Sequence, residues 1–213
     1  MKSTQSMFAC GLLALAAAIG CGGDDDDDGG SKISTGLPPG DTLASLSDDD
    51  TQQVCEGTAD SLNNLLTKSE LKLFACRGVA VNDILEATEG EAAPDKIADC
   101  NKAAQACVND ASVNVPPLEV AEPGACSSLT TEESFGDCKA TVADYERCTG
   151  RVASLLKSRL LSLNCDVLKN PEVINETLNG TVDVTNESAC SAVRTKCPDV
   201  DLSFGGAEDD EEG

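Results

Sequence analysis

The sequence predicts an all-α, disulfide-stapled domain of about five to six helices over residues 47–203. Three observations predict this fold class. Apolar residues recur here at helical intervals, without the alternation that is typical of strands. Ten of the twelve cysteines in the 213-residue chain lie in this region. Only 2% of the residues are aromatic, so the apolar core is thin and disulfides would have to supply much of the rigidity.

The first two helices are predicted from a capped start and an apolar stripe. Ser47 is expected to cap a helix that has three aspartates at 48–50 in its first turn, where the helix dipole favours acids. This helix is predicted to run to about Leu66. A second helix is expected to start at Ser69, and Gly78 marks a point within it where a kink or break is tolerated.

The later helices are predicted from proline and glycine positions. Pro94 suits the first turn of a third helix, and a long proline-containing loop follows at 113–126. A long helical stretch is expected over 132–163, with Gly136 and Gly150 as points where it can break. The remaining predicted elements are a short piece after Cys165, a polar loop at 175–185 and a last helix over 186–197.

Ten cysteines are predicted to form five disulfides, because an even number in an exported chain is typical of a disulfide framework. The candidates are Cys55, Cys76, Cys100, Cys107, Cys126, Cys138, Cys148, Cys165, Cys190 and Cys197. The connectivity stays open, since ten cysteines allow about 10³ pairings.

Helix geometry excludes a few of these pairings. Cys100 and Cys107 would be separated by about 10.5 Å of rise on one helix. A disulfide needs Cα atoms within about 7 Å, so these two cannot pair with each other. The same limit applies to Cys190 with Cys197, and to Cys138 with Cys148 if one helix carries both.

The cysteine spacing also suggests an internal duplication. One set, at 55, 76, 100 and 107, has intervals of 20, 23 and 6 residues. A second set, at 148, 165, 190 and 197, has intervals of 16, 24 and 6 residues. This predicts two related helical halves joined through Cys126 and Cys138. Coincidental spacing is the alternative, because residue identity between the halves is low.

Composition excludes several classes of function. A formal net charge of −23 argues against binding nucleic acid, which requires clustered Lys and Arg. The chain has no histidine, so no site can use an imidazole as base, acid or metal ligand. No C-x-x-C pair occurs, so neither a metal site nor a thioredoxin-like redox site is predicted. No cofactor, catalytic residue or enzymatic activity is predicted.

The N-terminus has the features of an export signal. Lys2 precedes a nearly unbroken apolar run over 7–19, which is too short to span a bilayer as a mature helix. The run ends in Ala18-Ile19-Gly20-Cys21, which resembles the lipobox of bacterial lipoproteins. The resemblance implies a signal peptide over 1–20 and a Cys21 that carries acyl chains such as palmitate. An ordinary secretory signal, with Cys21 as one more cysteine, is the alternative.

Two acidic segments flank the predicted domain. Residues 21–46 form a lipidated cysteine followed by a Gly/Asp-rich stretch, which we expect to be a disordered tether. Residues 204–213 are expected to be a disordered acidic tail. Calcium binding by the aspartate run at 24–28 is a weaker alternative, because calcium needs oxygen ligands held around one point.

The mature chain resembles the uncharacterised Cys-rich lipoproteins of myxobacterial-type genomes. The resemblance lies in the acidic tether and in the segments 135–138 and 142–148. It implies a cell-envelope location with the membrane contacted through the lipid anchor. Because Gly22 and not Asp follows Cys21, the outer membrane is favoured. We therefore predict an envelope lipoprotein that displays a helical binding module, its protein or small-molecule partner open. The alternatives are a small-ligand carrier with a pocket between helices and a carboxylate-only hydrolase.

Overall fold

The computed structural model describes residues 33–117, 124–174, 182, 184 and 186–197. This part of the chain is predominantly helical, and an isolated β-bridge joins Thr42 to Thr141. The all-α fold class is therefore confirmed. The α-helices are α1 (Asp48–Asn63), α2 (Lys68–Ala87), α3 (Ile97–Asn109), α4 (Thr131–Ser134), α5 (Val142–Ser162) and α6 (Ser191–Lys196). Short 3₁₀ helices lie at Leu43–Ser45, Pro94–Lys96, Ala125–Ser128, Cys165–Lys169 and Ser188–Cys190.

Several predicted segments lie outside the described residues. These are the signal peptide over 1–20, the acylation candidate Cys21 with the tether residues up to 32, most of the polar loop at 175–185, and the tail over 204–213. Their predictions therefore stay predictions.

Helix α1 begins at the predicted cap. The Ser47 hydroxyl accepts a hydrogen bond from the Asp50 backbone N–H, and the Asp50 carboxylate accepts one from the Ser47 N–H. This reciprocal pair is a capping box, which satisfies two backbone donors that a helix start otherwise leaves free. The helix ends at Asn63, slightly before the predicted end at Leu66.

Helix α2 begins at Lys68, one residue before the predicted start at Ser69, and Thr67 is its cap. Thr67 and Glu70 form a second capping box, which sets the start. The helix continues past Gly78, so the break that this glycine would tolerate does not occur.

The long helix expected over 132–163 is divided. Helix α4 ends at Ser134, and Gly136 adopts a left-handed conformation with φ of 47° that turns the chain away. The Gly136 N–H donates to carbonyls of α4 and so closes its C-terminus. Helix α5 then starts at Val142, and Gly150 lies buried within it without breaking it. Cys138 therefore lies between the helices, and of the two predicted breaks only the one at Gly136 occurs.

The other two predicted helices are present with short 3₁₀ starts. Pro94–Lys96 forms a 3₁₀ turn that leads directly into α3, which matches the tolerance of a first turn for proline. The helix predicted over 186–197 consists of the 3₁₀ turn Ser188–Cys190 followed by α6.

The folded part begins earlier than predicted. Ile33 is buried, and Leu43 is 0% exposed. The Leu43 N–H donates to the Ala140 carbonyl at 2.9 Å, so the segment is held by contacts to residues far along the chain. The prediction that residues 33–46 belong to a disordered tether is therefore wrong. Leu43 and Leu46 of this segment are buried because they pack in one core with residues that are distant in sequence.

The chain forms two compact units, each built from separate stretches of sequence. In the described residues, unit 1 comprises those up to Leu65, those from 124 to Leu155 and those from 182 onwards. Its core includes Leu43, Val54, Phe135, Val142, Tyr145, Val152 and Val193. Unit 2 comprises the described residues over 66–117 and 156–174, and its core consists of Ala80, Val81, Cys100, Ala104, Cys165 and Leu168. The units therefore do not correspond to two successive halves of the sequence.

Candidate functional site

All ten predicted cysteines of the folded region are paired. The disulfides are Cys55–Cys126, Cys76–Cys107, Cys100–Cys165, Cys138–Cys197 and Cys148–Cys190. Their Cα–Cα distances run from 4.4 to 5.8 Å, which is within the range that a disulfide requires. The predicted disulfide framework is therefore confirmed.

The pairing obeys the predicted helix geometry. Cys100 and Cys107 both lie on α3, and each is bonded to a cysteine on another element. Cys190 and Cys197 likewise have separate partners. On α3, a rise of about 10.5 Å, or about two turns, thus separates Cys100 from Cys107 and prevents the pairing that their proximity in sequence would suggest.

The pairing does not repeat between the two predicted halves. Cys55 is bonded to Cys126, whereas its proposed counterpart Cys148 is bonded to Cys190. Cys100 is bonded to Cys165, so this disulfide joins the two halves. The disulfides therefore give the proposed duplication no support.

Each disulfide closes within one unit. Unit 1 contains Cys55–Cys126, Cys138–Cys197 and Cys148–Cys190, and unit 2 contains Cys76–Cys107 and Cys100–Cys165. The covalent links thus follow the division of the cores. Each unit therefore has its own disulfides and its own small apolar core.

A buried carboxylate caps the start of α5. Asp144 accepts a hydrogen bond from the Thr141 backbone N–H at 2.9 Å, and it forms an ion pair with Lys196 of α6. Burial raises the pKa of Asp144, but the hydrogen bonds from Lys196 and Thr141 outweigh burial and hold the pKa below its usual range. Among the described residues, Asp144 is the one charged residue that is buried, and its contacts give it a structural role.

A segment of unit 1, Ile33–Leu37, lies across α1 and α5 and bends at Gly36, whose φ is 77°; we name it the strap. Glu146 of α5 accepts hydrogen bonds from the Thr35 backbone N–H at 2.6 Å and from the Thr35 hydroxyl at 3.0 Å. Gln53 of α1 donates to the Thr35 carbonyl at 2.9 Å. Two side chains therefore bind the backbone donor, the backbone acceptor and the hydroxyl of one strap residue.

A glycine on α1 lets the strap approach closely. A Cβ at Gly57 would lie 3.1 Å from the Ser34 carbonyl oxygen and 3.1 Å from the Thr35 Cα, which is tighter than ordinary contact. Ile33 and Thr35 are buried, while Ser34 between them is exposed, as expected for an extended segment on a surface. We call the surface formed by Gln53, Gly57 and Glu146 the strap groove.

The most strongly perturbed acid of unit 2 lies at the start of α2. Glu70 accepts hydrogen bonds from the Thr67 N–H at 2.8 Å and from the Lys157 ammonium at 2.9 Å. The Thr67 backbone, then Lys157 and the Thr67 hydroxyl, lower the pKa of Glu70 to about 2. The carboxylate therefore stays charged at neutral pH and stabilises the helix start.

No cluster of three or more His, Cys, Asp or Glu side chains in 33–117, 124–174 or 186–197 could hold a metal ion. Within the same stretches, no helix combines the length and apolar character needed to cross a bilayer. These findings concern only that part of the chain.

Sequence reasoning missed the residues of the strap groove and the cap of α5. The cap of α5 could have been predicted, because Thr141-x-x-Asp144 before an apolar run matches the sequence pattern of a capping box. No sequence pattern marked Gln53 and Glu146, because each is a polar residue of the kind that any amphipathic helix carries. Their role depends on Thr35, which is distant in sequence. Cys21, the one predicted modification site, lies outside the described residues.

No protein-family model, curated protein or solved structure matches the chain.

Proposed function

We propose that this protein is a lipid-anchored lipoprotein of the bacterial cell envelope that presents a disulfide-stapled helical interaction module. The observation that carries the proposal is the complete pairing of the ten cysteines after Cys21. Disulfides persist in oxidising compartments, whereas cytosolic thiols are kept reduced. A full set of structural disulfides therefore supports export of the chain.

The proposed anchor is Cys21, at the end of the lipobox-like Ala18-Ile19-Gly20-Cys21. Several acyl chains on one residue would hold the protein stably, because a single chain gives only marginal membrane binding. A net charge of −23 makes electrostatic attachment to anionic lipid unfavourable, so the lipid would supply the attachment. The outer membrane is the proposed location, since Gly22 stands where an inner-membrane retention signal would have Asp.

The corrected start of the folded part shortens the proposed spacer. Eleven residues lie between Cys21 and Ile33, the first described residue. At about 3.3 Å per residue they reach at most about 36 Å. A lipid anchor at Cys21 would therefore hold unit 1 near the membrane surface. A ligand carrier and a carboxylate-only hydrolase, the two alternatives from the sequence, gain no specific observation from the described residues.

Metabolic labelling tests the anchor. Cells of a bacterial host that express the full chain are given an alkyne fatty acid, and the wild type is compared with Cys21→Ser. We expect labelling and membrane fractionation of the wild type, and loss of both in Cys21→Ser. Cys10→Ser is the matched control, because it removes a cysteine of the predicted signal peptide and should leave labelling unchanged. Equal labelling of the wild type and Cys21→Ser would contradict the proposal.

Non-reducing peptide mapping tests export independently of the lipid. We expect the exported chain to yield the five disulfides described above and no free thiol after Cys21. A membrane-associated chain with most of these thiols free would contradict an oxidising location.

A further inference from the structure

We propose that the disulfide Cys76–Cys107 is a site of thiol–disulfide exchange, at which a dithiol releases the end of α3 from α2. Unit 2 would then have two forms. In one form the disulfide is closed, and in the other it is replaced by two thiols and the end of α3 is free. Exchange at this disulfide does not require the lipid anchor, so the assignment goes beyond the proposed function.

Cys107 is the most exposed of the ten paired cysteines. The other nine are buried, with exposed fractions of 6% or less, whereas Cys107 is partly exposed. An attacking thiolate must reach a sulfur atom, so access limits the rate of exchange. Each of the other four disulfides joins two buried cysteines and must wait for a larger opening of the structure.

The chain that follows Ala104 depends on this disulfide for its attachment. Ala104 is the last buried residue of α3, and none of residues 105–117, which we name the α3 extension, is buried. In the described part of the chain, two bonds tie the α3 extension to α2. One is Cys76–Cys107, and the other is a hydrogen bond of 2.7 Å that the Lys72 Nζ donates to the Asp110 carbonyl. Opening the disulfide leaves a hydrogen bond at an exposed surface, so the α3 extension should detach.

The first part of α3 should stay in place when the α3 extension detaches. Cys100 is bonded to Cys165, and both are buried. Cys100 and Ala104 also lie in the core of unit 2, together with Ala80 of α2. The exchange would therefore change the α3 extension and the part of α2 beneath it, while the core of unit 2 is kept.

The exchange consumes one dithiol for each disulfide that opens. A thiolate of the dithiol attacks the Cys107 Sγ, the S–S bond breaks, and its electron pair leaves on the Cys76 Sγ, which takes a proton from water. The second thiolate of the dithiol then attacks the first dithiol sulfur. This step closes a disulfide in the reagent and releases Cys107 as a thiolate, which is protonated in turn. Two electrons and two protons thus pass from the dithiol to the protein.

Graded reduction of the purified, oxidised wild-type chain tests the assignment. Free thiols are first blocked with iodoacetamide, so that Cys10 and Cys21 do not contribute. The native protein is then treated with dithiothreitol or with reduced thioredoxin, and new thiols are trapped with isotope-labelled iodoacetamide and located by peptide mapping. We expect Cys76 and Cys107 to be labelled at least about ten times faster than the other eight paired cysteines. Faster opening by thioredoxin than by dithiothreitol at equal concentration identifies a protein dithiol as the reactant, and the opposite order identifies a small dithiol.

Hydrogen exchange of the trapped protein locates the released segment. Once Cys76 and Cys107 are alkylated, amide exchange should accelerate most over 105–117 and less over 97–104, because the first part of α3 keeps its disulfide and its core contacts.

Two lysine variants test whether attachment of the α3 extension controls access. Lys72→Met removes the hydrogen bond to Asp110 and should speed the labelling of Cys76 and Cys107 several-fold. Lys68→Met is the matched control, because it makes the same change at an exposed lysine of the same helix and should leave the rate unchanged. The buried pair Cys148–Cys190 should open at the same rate in all three chains.

Simultaneous opening of all five disulfides would overturn the proposal, and so would earlier opening of any other pair. Equal acceleration of hydrogen exchange over 97–104 and 105–117 would also contradict it, as would a labelling rate in Lys72→Met no higher than that in Lys68→Met. None of these measurements depends on acylation of Cys21. Failure of the exchange can thus be told apart from failure of the envelope assignment.

Discussion

At the scale of single residues, the thin apolar core of unit 1 contains hydrogen-bonded polar side chains. The Thr58 hydroxyl and the Tyr145 hydroxyl lie 2.7 Å apart, and both residues are buried. Thr51 and Thr131 form a similar pair at 2.8 Å. Burying a hydroxyl that has no hydrogen-bond partner costs free energy, because the hydroxyl loses its hydration without compensation. Each pair therefore favours the core arrangement in which both hydroxyls are hydrogen-bonded.

We predict that Tyr145→Phe lowers the free energy of unfolding by about 1–3 kcal/mol, because it takes from Thr58 the partner of its buried hydroxyl. The double variant Thr58→Val with Tyr145→Phe should cost less than the two single changes together, since it removes both hydroxyls. Guanidinium unfolding of the oxidised protein measures both effects. Strictly additive losses would show that the two hydroxyls do not interact.

The same scale explains what the sequence could not predict about the strap. Thr35 lies in a Gly- and Asp-rich stretch that has the composition of a disordered tether. Its burial depends on Glu146, which is 111 residues away, and on the absence of a side chain at Gly57. Composition reports only local tendencies. A polar segment that becomes ordered by packing on distant helices therefore has the same composition as a disordered tether.

At the scale of elements, capping boxes set the starts of α1, α2 and α5. Ser47 with Asp50 and Thr67 with Glu70 each satisfy two backbone donors, and Thr141 with Asp144 makes the same reciprocal contacts. The first was predicted, because three acids follow the serine and strengthen the pattern. The start of α2 was predicted at Ser69, one residue after the observed start at Lys68, because a single Glu three residues after Thr67 is a weaker local signal than three consecutive acids.

The capping box of α2 should make stability depend on pH in acid. The Glu70 pKa is lowered from 4.5 to about 2 in the folded chain, so its stabilising effect is fully present above pH 4.5. That effect is lost as the pH falls through about 2, because the folded chain then takes up the proton as well. The effect of the charge is isolated by Glu70→Gln, which can still cap the helix but carries no charge.

We therefore expect Glu70→Gln to have a lower urea midpoint than the wild type at pH 7. The two midpoints should converge as the pH falls from 4.5 towards about 2. Urea titrations of the two oxidised proteins across this range measure the difference. A gap that stays constant down to pH 2 would assign the effect to packing of the side chain and not to its charge.

At the scale of the whole molecule, the sequence predicts the existence of the disulfides but not their pattern. The even cysteine number and the helical periodicity predicted a stapled all-α fold, and helix rise excluded the pairing of Cys100 with Cys107. The remaining pairings depend on which helices are neighbours, which local sequence does not encode. The apparent duplication illustrates this, because Cys100–Cys165 joins the two proposed halves.

The distribution of disulfides between the units leads to a last prediction. Removing Cys76–Cys107, which are 31 residues apart, should cost about 4 kcal/mol, because the unfolded chain regains the freedom of an open loop. Removing Cys148–Cys190, which are 42 residues apart, should cost about the same. The two changes are expected to act on different parts of the chain, since each disulfide lies beside a separate apolar core.

Hydrogen exchange measured by mass spectrometry distinguishes these effects on the oxidised protein. Cys76→Ala with Cys107→Ala should accelerate amide exchange mainly in α2 and α3, with much smaller changes in α1 and α6. Cys148→Ala with Cys190→Ala should show the reverse distribution, with α5 left out of the comparison because the division between the units falls within it. Equal acceleration in both sets of helices would mean that the molecule opens as a single cooperative structure. In that case the separate stapling of the two cores would have no consequence for stability.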